Sequence, residues 1–506
     1  MSGRFAIAAG HALTAEAGAE VLRAGGNAVD AAIAAAFAAM VAEPVLAGLM
    51  GGGFLLVRRP SGEIRVLDAF VQTPRRKRPL VELDLREVEA DFGETRQRFV
   101  IGAGAVAAPG LAPALAEAHR ALGRMPLAEL AAPAIRAARD GVRITAFQAA
   151  IGRIIAPILT ATPSIRALMC DEDVPFGEGV LMRNPDLAEV LDVFTREGPR
   201  FIQEGEVAAA LLALMAEGGH LTVEDLRRHR AVWREPVRAS HGPATVALNP
   251  PPALGGTLIA FALGLVGRDP GAVELARAFA ATARARLEAG LDGDPVAGAA
   301  RLLDPALLAR YRGGIAGRRG AARGTTHVSL IDGQGLGVAL TLTNGEGAGL
   351  VLPGTGIIPN NMLGEDDLVP GDPLNWEPDQ RLASMMAPLA LGWPDGRVAL
   401  MGSGGSNRIR TALAQVVLRL AGQGMGLEAA IAAPRLHVEG REAGVDFELE
   451  AMPDAEREAL LAAFPEARGW SARSMFFGGV HAVMRDARGH VDAAGDPRRD
   501  GVAITG

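Results

Sequence analysis

Two glycine-rich segments of this 506-residue chain carry groups of the kind that acyl chemistry uses. Gly324-Thr325-Thr326-His327 stands directly before a run in which small and polar residues alternate with aliphatic ones. A threonine hydroxyl there could serve as a nucleophile if a base activated it, although Gly-Thr-Thr before a strand is more commonly a turn. The second segment, Gly402-Ser403-Gly404-Gly405-Ser406-Asn407-Arg408, leads into the apolar-periodic run 409–421. Backbone N–H groups at such a loop and helix start can hold an anion or a developing oxyanion. It is not a Gly-x-Ser-x-Gly elbow, and nothing places a histidine and an acid beside either serine. Gly51-Gly52-Gly53 reads as a tight connection rather than a phosphate cradle, because no helix-opening pattern and no lysine follow it. Lys77, inside the run Arg75-Arg76-Lys77-Arg78, is the only lysine, which excludes a Walker loop and argues against a Schiff-base enzyme.

The elements that must position these segments are readable from periodicity. Residues 14–24 predict an amphipathic helix stopped by Gly25-Gly26-Asn27, and 28–42 a second, alanine-rich helix that packs closely and ends at Pro44. Gly48 to Val57 predicts a glycine turn feeding a buried strand. Residues 109–229 read as mostly helical, with an element starting at Pro109-Gly110, helices over 127–139 and 186–195, and a Thr222 N-cap followed by an acid. Residues 324–332, the turn Gly333-Gln334-Gly335 and the run 336–343 predict a β-hairpin.

Composition narrows the function classes. There are 51 Lys plus Arg against 58 Asp plus Glu, a formal charge of -7, so nonspecific nucleic-acid binding is not expected. The single cysteine, Cys170, cannot form an intramolecular disulfide, and no Cys/His spacing suggests zinc. The start lacks a secretory pattern, and the most apolar early stretch, 31–42, is shorter than the ~20 residues a membrane span needs. A cytoplasmic location without membrane partners is therefore expected.

Taken together and in order, the motifs resemble the gamma-glutamyltransferase (gamma-glutamyl transpeptidase) family of N-terminal nucleophile hydrolases. The matching segments include Gly25-Gly26-Asn27-Ala28-Val29-Asp30, Glu43-Pro44, Gly51-Gly52-Gly53-Phe54, Ala108-Pro109-Gly110, Arg234-Glu235-Pro236 and Gly324-Thr325-Thr326-His327. They continue through Pro353-Gly354-Thr355-Gly356, Asn360-Asn361, Gly404-Gly405, Ala433-Pro434-Arg435 and Asp496-Pro497-Arg498. The resemblance implies an α+β fold, a four-layer αββα sandwich, with self-cleavage between Gly324 and Thr325. Residues 1–324 would form a large subunit and 325–506 a small one, intertwined in one domain. It further implies Thr325 as nucleophile with its own α-amine as base, Thr343 as its orienting neighbour, and Gly404 and Gly405 as oxyanion donors. His327 is expected to be structural, with a role as catalytic base the lesser alternative. No cofactor is implied, and the partners are a small amide substrate and a water or amine acceptor.

The expected substrate pocket departs from that family. The arginine that grips a glutamyl α-carboxylate aligns with Phe70, which cannot make a bidentate charged contact; Arg75 and Arg76 are the nearby substitutes. Of a serine pair only Ser384 is kept, after Ala383. Asn344, and Asp366 or Asp367, are the candidates for the amine side of the pocket. Three functions follow: hydrolysis or transfer of γ-glutamyl groups of glutathione-like amides, an amidohydrolase or acylase for another acyl group with Phe70 as an apolar wall, and a non-processing ligand-binding relative.

Overall fold

The computed structural model describes residues 4–91, 96–311, 325–441 and 444–506. Gly324, on the near side of the expected cut, lies outside the described residues.

Helices and largely antiparallel sheets make up the described residues, as expected of an α+β protein. The larger sheet has seven strands, in the order Val232–Arg234, Ile64–Asp68, Gly52–Arg58, Gly337–Thr343, Thr326–Ile331, Ala6–Ala9 and Val502–Thr505. A second sheet has six, in the order Val237–His241, Ala244–Leu248, Leu389–Gly392, Val398–Gly404, Gly479–Arg485 and Val491–Ala494. Every neighbouring pair in both is antiparallel. The strands Thr326–Ile331 and Gly337–Thr343 of the first sheet pack on Val398–Gly404 of the second. Each sheet mixes strands from before and after residue 324.

Period-two alternation divides the core. Ile7, Leu55, Val57, Val328, Leu330, Leu340 and Leu342 point toward the helices Ala12–Arg23 and Ala28–Ala42, whereas Ala6, Ala8, Phe54, Leu56, Ile331 and Ala339 join the core shared with the second sheet. All fifteen residues of Ala28–Ala42 are buried, so its alanines do serve close packing. It starts where predicted because Asn27 accepts the N–H groups of Val29 and Asp30 while Asp30 accepts that of Asn27. The preceding helix begins two residues before the expected Thr14, since the His11 ring accepts the Leu13 N–H at 3.1 Å and serves as N-cap.

Helices Leu127–Asp140 and Pro185–Glu197 and the hairpin match the expected elements. The three glycines are indeed a tight connection: a Cβ on Gly51 would sit 2.2 Å from the Thr343 carbonyl oxygen, and one on Gly53 2.4 Å from that of Thr341. No helix among the described residues is long and apolar enough to cross a membrane.

Candidate active site

Thr325 immediately precedes the Thr326–Ile331 strand in the middle of the large sheet. In that strand Thr326 pairs with Leu342 and His327 with Thr341, so one further step brings Thr325 opposite Thr343. Alternation turns 325, 327, 329 and 331 toward the second sheet and 326, 328 and 330 toward the helices. Thr325 and Thr343 accordingly line one cavity, of about 480 Å³ out to its open mouth.

The facing sheet approaches through glycine. A Cβ on Gly404 would stand 2.0 Å from the Thr325 carbonyl oxygen, and the ring of His327 fills the space a Cβ on Gly402 would take. Gly405 follows at φ 115°, which a residue with a side chain rarely adopts, and turns the chain into the helix Arg408–Val417. The glycine pair thus lies against the backbone of Thr325, where main-chain N–H groups could meet a developing oxyanion.

His327 is enclosed. Its Nδ1 lies 2.8 Å from Thr341 Oγ1 and its Nε2 2.8 Å from Ser329 Oγ. Burial, with the nearby His481 adding to it, holds its pKa well below the ordinary histidine value. It is a neutral hydrogen-bonding strut between strands rather than a residue of the cavity lining.

The other walls come from distant segments. Phe70, Leu254, Leu368, Ala383, Met385, Met386 and Ile409 supply apolar surface, and Glu365, Asp367, Ser384 and Ser406 supply polar groups. Among the described residues that line it there is no Arg, Lys or His. Phe70 is fully buried and stacks on Phe54 with ring centroids 5.6 Å apart. Its backbone is pinned: the Phe70 N–H donates to Asp68 at 3.0 Å, and its carbonyl accepts from Arg381 and lies 3.0 Å from His229 Nε2. Asp68 in turn pairs with Arg234 at 2.9 Å and Arg381 at 3.6 Å, so these guanidiniums are committed to holding the turn that presents Phe70.

The expected substitutes for the missing arginine are not in the cavity. Arg75 pairs with Asp379 at 2.8 Å and Arg76 is exposed. Of the two candidate aspartates, Asp367 lines the cavity and accepts from Ser406 Oγ at 2.9 Å, while Asp366 is exposed and accepts the Gly371 N–H. Asn344 is not brought to the lining either. The chain turns at Gly345, with φ 66°, and the Asn344 amide donates to the Ile358 carbonyl at 3.1 Å. Ser384 is in the lining, its Oγ accepting the Met386 N–H at 3.1 Å.

Sequence reasoning missed the apolar residues Leu254, Leu368, Met385, Met386 and Ile409 as cavity lining, because each resembles any other core residue. It also missed Arg499, whose Nη1 donates to the Thr325 carbonyl at 3.4 Å. The Asp-Pro-Arg motif just before it was the available signal.

A hydroxyl leading a central strand, a second hydroxyl opposite, and a glycine corner against its backbone define an amide-cleaving, acyl-transfer class of site. The family model of gamma-glutamyltranspeptidase matches residues 14–506, and the chain belongs to that enzyme family. It is 34% identical to the acylase ACY 1 proenzyme of Pseudomonas sp. (strain V22), over 99% of this chain and 94% of that one. It is 30% identical to the glutathione hydrolase proenzyme of Pseudomonas aeruginosa, with the same two coverages. Among solved structures, the cephalosporin acylase from Bacillus halodurans superposes with a TM-score of 0.85 at 25% identity, covering 99% of this chain and 96% of that one.

Proposed function

We propose that the chain cuts itself between Gly324 and Thr325 and then acts as an acylase on an acyl group other than γ-glutamyl. The observation that carries the substrate reading is the cavity wall: Phe70 stands where the family's carboxylate-gripping arginine is expected, stacked and pinned, and among the described residues no cation lines the space. An α-carboxylate entering there would meet Glu365 and Asp367 and exchange water for an apolar surface, at a high desolvation cost. A neutral, apolar acyl group fits that wall. The similarity to the acylase ACY 1 proenzyme and to the cephalosporin acylase supports the same reading.

In this reading the Thr325 hydroxyl attacks the Gly324 carbonyl in an N-to-O shift that breaks the peptide C–N bond and frees the Thr325 α-amine; water then hydrolyses the resulting ester, releasing the Gly324 carboxylate and restoring the Thr325 hydroxyl. That amine, with an unperturbed pKa near 8, then takes the hydroxyl proton as Thr325 Oγ attacks the substrate amide. Gly404 and Gly405 N–H groups receive the oxyanion, a contribution on the order of 3 kcal/mol per donor. The leaving amine departs protonated, and water or another amine resolves the ester. Thr343 orients the nucleophile from across the hairpin. Residues 1–324 and 325–506 become two subunits of one αββα sandwich.

Gamma-glutamyl hydrolysis or transfer is the second reading, supported by the glutathione hydrolase relatives. Intact mass and N-terminal sequencing of the purified protein test the first step: a smaller chain beginning Thr325-Thr326-His327 is expected, and one unbroken chain after long incubation would favour a non-processing protein. A panel of γ-glutamyl and neutral acyl p-nitroanilides tests the second. Faster release from the neutral anilides supports the acylase reading, and faster release from the γ-glutamyl anilide supports the other.

A further inference from the structure

The Glu43-Pro44 motif has no part in the chemistry above, yet it ends beside the nucleophile. Proline disfavours helical geometry in the residue before it, and Glu43, at φ -124° and ψ 53°, leaves the Ala28–Ala42 helix as its C-cap. Its buried carboxyl lies beneath the large sheet. One oxygen, Oε1, accepts from Thr326 Oγ1 at 2.9 Å, and the other, Oε2, accepts from Thr14 Oγ1 at 3.2 Å. The space is made by Gly10, where a Cβ would stand 3.0 Å from Thr326 Oγ1, 3.2 Å from Glu43 Oε1 and 3.4 Å from His481 Nε2.

One residue earlier, Arg499 donates to the Thr325 carbonyl at 3.4 Å. Its guanidinium crosses the glycine corner, within 3.0 Å of where a Gly404 Cβ would stand and 3.3 Å of the Gly405 equivalent. Thr325 and Thr326 are therefore held at two adjacent points, one through its carbonyl and the next through its side chain. Buried carboxyls lacking a direct guanidinium bond are costly to keep. Glu43 ties the start of the Thr326–Ile331 strand, through the Thr326 hydroxyl, to the helix Ala12–Arg23, through that of Thr14.

We infer that Glu43 is a positioning residue for Thr325, acting through the Thr326 hydroxyl. This inference rests on Thr325 being the nucleophile of self-cleavage. Burial pushes the Glu43 pKa up to about 7, with the Thr326 and Thr14 hydroxyls and the Arg499 charge opposing and Asp500 reinforcing. The other titratable groups about it are His481, held near pKa 4 by burial, and His11, also lowered by burial. Burial moves both histidines below the ordinary histidine value, opposite to the direction in which it moves Glu43.

The test uses the full chain as its own substrate. Freshly translated chain is followed by gel and N-terminal sequencing for release of the fragment beginning at Thr325, between pH 5.5 and 8.5. Glu43→Ala is expected to slow cleavage at least tenfold, and Thr326→Val by a similar factor, with the double variant no slower than either alone. Glu43→Gln keeps the shape and a hydrogen bond to Thr326, and is expected to restore the rate to within threefold of wild type at pH 6 while losing the rate change that wild type shows around pH 7. Wild-type rates in Glu43→Ala, losses that multiply in the double variant, or an unchanged pH profile in Glu43→Gln would each overturn the inference. If Glu43→Ala fails to fold, Thr326→Val and the Glu43→Gln profile decide it. A Thr325→Ala chain that still cuts at this peptide defeats the nucleophile assignment; a dead Thr325→Ala beside a fully active Glu43→Ala defeats only the role of Glu43.

Discussion

Gly404 lies so close to Thr325 that a single added carbon would meet the threonine's carbonyl oxygen at 2.0 Å. The glycine corner and the strand that Thr325 leads are therefore packed backbone to backbone across two sheets. Gly404→Ala must push them apart. Overpacking of this kind costs about 1–3 kcal/mol, and a displacement of about 1 Å at a reacting group can cost ~100-fold in rate. The expected outcome is a folded chain that stays uncut, seen as a single mass with a cooperative melting transition.

Phe70 both packs on Phe54 and lines the cavity, so its substitution tests packing and the proposed selectivity together. Removing a buried phenylalanine ring costs about 3–5 kcal/mol, so Phe70→Ala is expected to lower the denaturation midpoint markedly. Phe70→Arg places a guanidinium in the core next to the already committed Arg381 and against Phe54. It is expected to destabilise the protein without the gain on γ-glutamyl anilides that an otherwise intact glutamyl pocket would give. A rise in that activity would show that the cavity can accept the carboxylate after all.

Glu43 makes a signed prediction about stability. Its pKa is raised from 4.5 to about 7 by burial, so between those values the folded protein keeps a proton that the unfolded chain has lost. Stability is then full below pH 4.5 and declines as pH rises through 7, by on the order of 3 kcal/mol. Glu43→Gln carries no such group. Chemical denaturation across this range should show the variant gaining on wild type as pH rises, with a flat difference disproving the shift.

Two motifs far apart in sequence, Ala433-Pro434-Arg435 and Asp496-Pro497-Arg498, meet in a buried network. Arg435 pairs with Asp496 at 2.6 Å, Arg498 pairs with Asp496 at 3.1 Å and also with Glu450, and Asp496 accepts the Val480 N–H at 2.9 Å. Asp496→Ala leaves two guanidiniums short of a counter-charge. Breaking a buried pair from one side costs about 3–5 kcal/mol, and Arg499 sits at the end of the same turn. Urea titration should show the loss, accompanied by slower self-cleavage.

How much of this was legible follows from how local each signal is. The Ala28–Ala42 helix and the hairpin were readable because a cap, a proline and a two-residue alternation lie within the segments themselves. Counting back from the hairpin turn also places Thr343 opposite Thr325. Asn344 falls outside the lining because one glycine with positive φ sends the chain away from the cavity, and alternation ceases to apply beyond the strand end. Asp366 and Asp367 are adjacent in a short loop, where only the fold decides which faces inward. The apolar wall was not legible: Leu254, Met385 and Ile409 come from separate elements that converge only in the folded molecule.

Both sheets contain strands from before and after residue 324, with Thr326–Ile331 hydrogen-bonded to Ala6–Ala9 on one side and to its own hairpin partner on the other. A break at Thr325 would turn a unimolecular folding problem into a bimolecular one. Neither fragment would retain all of its sheet neighbours, so a denatured, cut protein would have to find its complement before it could recover a core, and dilution would work against it. Maturation would be a ratchet: the molecule would be assembled once as a single chain, and thereafter its persistence would depend on never coming apart.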